Sequence, residues 1–124
     1  MATSIPAADV LLQAASNYLE RELLPTLEGY HRFQTRITVN VLQVVLRQLR
    51  HGADNDAAEG LGLAELLGHG GELPALNREL AEGIREGRFP ITDARLVLHL
   101  RSCLQAALAV NNPKWIDDSR GAAT

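Results

Sequence analysis

Cysteine is nearly absent from this 124-residue chain: Cys103 stands alone, which excludes a disulfide framework and a cysteine-built metal centre. Aromatic residues are scarce, with two Phe, two Tyr and one Trp. Any core must therefore be built from Leu, Val and Ala, as in helix bundles. No apolar run approaches the ~18 residues of a membrane-crossing helix, and no alternating run of period two marks a strand. The first residues, Met1 to Pro6, have no basic region and no long apolar stretch, so no secretory signal is read and a cytoplasmic location is expected. His31, His51, His69 and His99 are not spaced i, i+3 or i+4 from one another, and no His-Glu-x-x-His run occurs, so neither a metal nor a cofactor is expected.

The most informative absence is of negative charge. From Gly29 to Gly52 there is no acidic residue but there are four arginines. At about 100° per residue, Arg32, Arg36, Asn40, Gln43, Arg47 and Arg50 fall in one narrow band of a helix. Tyr30, Phe33, Ile37, Val39, Val41, Leu42, Val44, Val45, Leu46 and Leu49 fill the rest. So wide an apolar arc reads as the middle helix of a bundle. The whole chain carries a net charge of −3, which argues against a general nucleic-acid or anionic-membrane binder. Without the four arginines, the remainder has eight basic and fifteen acidic residues. One helix is cationic and the rest of the chain is anionic.

Helical punctuation sets the expected elements. Thr3 or Ser4 caps a first helix running to about Leu24, with Val10, Leu11, Ala14, Ala15, Tyr18 and Leu19 as its apolar face and Asp9, Gln13, Ser16, Asn17 and Glu20 as its wet face. The arginine helix runs from about Tyr30 to His51 and stops at Gly52. A weak helix over about 56–67 follows, interrupted by Gly60 and Gly62. A further helix spans about 74–86, with Leu73, Leu76, Leu80 and Ile84 as its core stripe. The last, Ala94–Asn111, is capped by Asp93 or Thr92 and packs through Leu96, Val97, Leu100, Cys103, Leu104, Ala107 and Leu108. Trp115 and Ile116 fold back on the bundle. The expectation is an all-α antiparallel bundle of four main helices plus one short, weak helix. It forms a single domain over residues 1–116, with a tail at 117–124.

The candidate site is the arginine stripe. Guanidinium groups bind carboxylates and phosphates in forked geometry and never lose their charge. Three readings are open. The chain's own carboxylates (Glu20, Glu22, Glu28, or Glu79, Glu82 and Glu86) answer the arginines; an anion pocket forms; or the stripe docks an acidic partner surface. Glu22 falls within the apolar arc of the first helix, so it is expected to face Arg36 or Arg32. Asn40 either orients Arg36 or lines a small polar pocket. The anion-binding or buried polar cluster is thus Arg32, Arg36, Asn40 and Glu22. The loop Gly68-His69-Gly70-Gly71 lacks the Lys and Ser/Thr of a phosphate-binding loop. Cys103 reads as a small buried hydrophobe, with His99 one turn away but rotated toward the wet side. No Gly-x-Ser-x-Gly or Ser-x-x-Lys run occurs, so catalysis is disfavoured and no catalytic residue is assigned.

The run Glu22-Leu23-Leu24-Pro25, then Gly29, Arg32-Phe33, Arg36, Asn40-Val41-Leu42 and later Ala109-Val110-Asn111-Asn112-Pro113-Lys114, resembles an uncharacterised family of small bacterial helical proteins, a domain of unknown function. Gln48 stands where that family tends to have an acid. The family is encoded beside aminoglycoside-phosphotransferase-like kinases and acyl-CoA dehydrogenases. The resemblance implies a non-enzymatic accessory protein that partners an enzyme of acyl-CoA or small-molecule phosphate metabolism. The alternative is a module binding phosphate, carboxylate or acyl-CoA through the stripe. A homodimer is expected, since two-fold dimers are the commonest oligomer.

Overall fold

Pro25 shapes the start of the chain. In the computed structural model, which describes residues 5–116, helix α1 spans Ala8–Asn17 and continues into a wide π-helical turn, Tyr18–Leu23, and a tight 3-10 turn, Leu24–Thr26. Proline has no N–H to donate four residues back, and its ring crowds the carbonyl there. The backbone widens ahead of it, so that the Leu24 N–H reaches the Leu19 carbonyl five residues away. The expected caps at Thr3 and Ser4, and the tail at 117–124, lie outside the described residues.

Helix α2 runs without interruption over Gly29–Leu67, 39 residues. This corrects the expected stop at Gly52 and the separate weak helix beyond it. A glycine ends a helix when it takes the left-handed conformation. Gly68 does so, with φ 82°, whereas Gly52, Gly60 and Gly62 do not. The stretch between His51 and Glu59 also has no proline and no β-branched residue, and extending a formed helix is easier than nucleating one. Of the two glycines near its end, Gly62 is a site of close approach and Gly60 is not. A methyl group on Gly62 would overlap the His99 ring, and one on Gly60 would lie 3.8 Å from Leu73 Cδ2. Close packing at Gly62 offsets the ~1 kcal/mol propensity cost of that glycine.

Helices α3 (Leu73–Arg85) and α4 (Ala94–Asn111) complete an all-α fold, with no strand among the described residues. α4 begins as expected: the Asp93 carboxylate accepts the Arg95 N–H at 2.9 Å. That bond is the main reason the carboxyl titrates below its ordinary value.

The chain divides into two compact units, Met1–His51 and Gly52–Thr124, and α2 contributes to both. In the first, α1 lies antiparallel to the opening half of α2, with Ser16 meeting Gln43 and Asp9 meeting Arg50. The second is built on Leu63, Leu66, Leu76, Leu80 and Leu96, with Leu67, Leu73 and Phe89 packed against them. Here α4 contacts its unit through Leu96 and His99. The rest of its apolar arc stays bare: Val97, Leu100 and Leu104, expected in the core, are exposed, as are Ile84 and Trp115.

The connection from α2 to α3 is tied by His69, whose Nδ1 lies 3.0 Å from the Gly70 carbonyl and whose Nε2 lies 2.8 Å from Glu79. The Gly70 carbonyl, then Glu79, raise its pKa above 6.5. Because the folded value is the higher one, this contact stabilises the protein fully below the unfolded pKa and fades as pH rises through the folded value. An NMR titration is expected to place His69 above the ordinary imidazole value, and Glu79→Gln is expected to lower it.

The two inner glycines are expected to respond oppositely to alanine. Gly60→Ala gains roughly 0.5–1 kcal/mol of stability in urea denaturation, from helix propensity with room for the methyl. Gly62→Ala loses about 1–2 kcal/mol, because the His99 ring must move.

Candidate functional site

A polar seam joins α1 to α2, inverting the expected arrangement. Ser16, assigned to the wet face of the first helix, has no solvent exposure. Its hydroxyl accepts a hydrogen bond from Gln43 Nε2 at 2.7 Å. Arg50 Nε lies 3.4 Å from the Asp9 carboxylate, and its Nη1 lies 3.5 Å from Gln13 Oε1. The face of α1 expected to be wet is thus the face that packs. Val10, Leu11 and Tyr18, expected to be buried, are each more than half exposed. The physical reason is pairing: a stripe of amide and guanidinium groups on α2 needs acceptors, and α1 carries them on its polar side only.

The seam splits the arginine stripe lengthwise. Its inner edge, Arg32, Gln43 and Arg50, is committed within the first unit. Arg32 Nη1 donates to the carbonyls of Leu24 and Leu27, both at 3.3 Å, and so serves the tight turn after Pro25. The outer edge, Arg36 and Asn40, is exposed. Arg47 is half-buried. Glu22 is exposed in the wide turn and forms no ion pair with Arg32 or Arg36 among the described residues, so the expected bridge across the helix pair is not made. Arg36 and Asn40 thus lie one turn apart on one edge with no ion pair to Glu22, while Arg32, a turn before Arg36, is bonded to backbone carbonyls.

Beside that edge lies a feature that the wide apolar arc concealed. Phe33, Ile37, Val41, Val45 and Leu49 are spaced four residues apart, and all are exposed, by 62, 41, 56, 45 and 53%. Tyr30 extends the row toward the N-terminus of α2, at 70% exposure. Residues four apart form a continuous ridge on a helix surface, the element that helix–helix packing uses. Arg36 lies three residues after Phe33 and Asn40 three after Ile37, so both border the ridge. Val39 and Leu46, 5% and 1% exposed, lie on the opposite side of the helix. The sequence signal was available: the i+4 row can be read directly, but its exposure depends on which side α1 covers.

The second unit holds a pairing that helical spacing underrated. Cys103 Sγ lies 3.6 Å from His99 Nε2. Burial, and then the charge of Glu59, raise the thiol's pKa. A thiol held in its neutral form is a poor nucleophile. Among the described residues no group of three His, Cys, Asp or Glu side chains is placed to hold a metal ion, and no helix is long and apolar enough to cross a membrane.

Residues 25–115 match the family model described as Domain of unknown function (DUF6285). The chain belongs to the DUF6285 family. The matched span takes in all of the first unit's part of α2 and nearly all of the second unit, and it includes both the ridge and Arg36. No curated protein and no solved structure matches the chain.

The seam is expected to behave as a coupled pair. Ser16→Ala leaves the Gln43 amide without its acceptor and costs roughly 1–3 kcal/mol of stability. Adding Gln43→Leu recovers most of that loss, because no polar group is then stranded. A double-mutant cycle in urea measures the coupling.

Proposed function

We propose that this DUF6285 protein is a non-enzymatic interaction module whose docking surface is the exposed ridge of α2. One observation carries the reading: five large apolar side chains in an unbroken i+4 row are exposed on a helix whose other side is packed. Isolated exposed hydrophobics are ordinary, but a contiguous row is characteristic of a binding surface. Covering the exposed half of each of the five residues is worth roughly 1 kcal/mol apiece. About 5 kcal/mol in total barely offsets the ~4–15 kcal/mol cost of association. The ridge alone therefore supports a weak complex, and the partner must add contacts. The family resemblance points to an enzyme of acyl-CoA or small-molecule phosphate metabolism as that partner. A second reading keeps Arg36 and Asn40 as a small-anion site; their exposure without an ion pair to Glu22 favours it, and it needs no apolar ridge.

The distinguishing experiment is Val41→Asp. A docking ridge predicts a thermal midpoint within a few degrees of the parent, since exposed positions change stability by about 0.5 kcal/mol or less. It also predicts loss of photo-crosslinks formed in cells from a benzophenone side chain placed at position 45. A fall in the midpoint of ten degrees or more would show that the ridge is part of the core and end this reading.

A further inference from the structure

We infer that the partner of the α2 ridge is an acidic amphipathic helix of another protein, with carboxylates along one flank. This rests on the docking reading above and specifies its occupant. The ridge rises through Phe33, Ile37, Val41, Val45 and Leu49, about 24 Å at 1.5 Å per residue. That length suits one helix laid along another with interlocking side chains. Its two flanks differ in charge. Arg36 and Asn40 border one side, exposed and with no hydrogen bond or ion pair among the described residues. Gln34 and Thr38 border the other and are neutral, and Arg50 at its far end is paired with Asp9. No acid occurs anywhere from Gly29 to Ala53 to satisfy Arg36 from its own helix. Neither Glu22 nor Glu28, from the preceding segment, does so.

Two other occupants fit less well. A second copy packed ridge to ridge has no carboxylate to offer, because its own ridge segment lacks acids as well. On a two-fold axis perpendicular to both helices, it would also set one arginine flank against the other. An anionic membrane surface favours lysine- and arginine-rich helices. This chain has a net charge of −3 and a single lysine, Lys114, far from the ridge in sequence. A helix with glutamates on one flank supplies both missing elements, apolar cover and a counter-charge. It also fixes the direction in which it lies, since only the Arg36 flank carries a charge not already paired within the protein.

The test uses the full chain and two synthetic amphipathic helices of about 20 residues. They share the same leucine stripe; one has glutamates along a single flank and the other has lysines in their place. Fluorescence anisotropy at low salt is expected to show the glutamate peptide binding about fivefold tighter, with the gap narrowing as salt rises. Arg36→Glu is expected to invert the preference, and Val41→Asp to abolish binding of both peptides while leaving the fold intact. Equal binding of the two peptides, with no inversion by Arg36→Glu, overturns the acidic partner but leaves the docking ridge standing. The assignment is also overturned if neither peptide binds. A concentration-dependent dimer in sedimentation equilibrium that Val41→Asp makes monomeric overturns it in favour of a second copy. Capture by phosphatidylserine vesicles that Val41→Asp abolishes overturns it in favour of a membrane.

Discussion

In the first unit, a serine hydroxyl with no exposure to solvent accepts a hydrogen bond from Gln43, and that contact sets how α2 is turned about its own axis. A helix of this composition has two sides competing for cover, an arginine–amide stripe and a wider apolar arc. Burying an unpaired amide or guanidinium costs more than leaving a valine wet. Once α1 presents Asp9, Gln13 and Ser16 to the stripe, part of the apolar arc must face away. The ridge and the exposed flank at Arg36 both follow from that choice.

The second unit obeys a different constraint, close approach at glycine. Gly62 gives the His99 ring its space, and the leucine cluster around Leu63 holds the helices there. At Gly62 the continuity of α2 is supported by packing, since the His99 ring fills the space a Cβ would take. Propensity alone argued for breaks, and the weakness of each glycine in isolation is real. Its cost is offset where a neighbouring side chain occupies the space that a Cβ would have taken. The wide turn ahead of Pro25 shows the reverse case, in which a local covalent feature dictates the backbone regardless of packing.

Several features were readable from the residues. The class of fold, the bounds of α4 between Asp93 and Asn112-Pro113, and the arginine stripe all follow from periodicity and punctuation. The membership of the family was signalled by residues spread from Glu22 to Lys114, and the family model covers residues 25–115. The misreadings share one cause. Ser16 was placed on the wet face, Glu22 opposite an arginine, and Val97, Leu100 and Leu104 in the core. Each was judged from the character of its own helix, whereas burial depends on what the neighbouring helix offers at the same height.

Periodicity and charge along the chain were sufficient to establish that it is helical, that α2 is acid-free over its first half, and that its arginines lie on one side. Those are local properties, governed by spacing of 3.6 residues and by residue type. Which half of that stripe is used up inside the protein, and which apolar row is left to meet a partner, was settled by contacts such as Ser16 with Gln43, 27 residues apart. No local pattern encodes such a pairing, because hydrogen bonding and close approach are properties of two surfaces together.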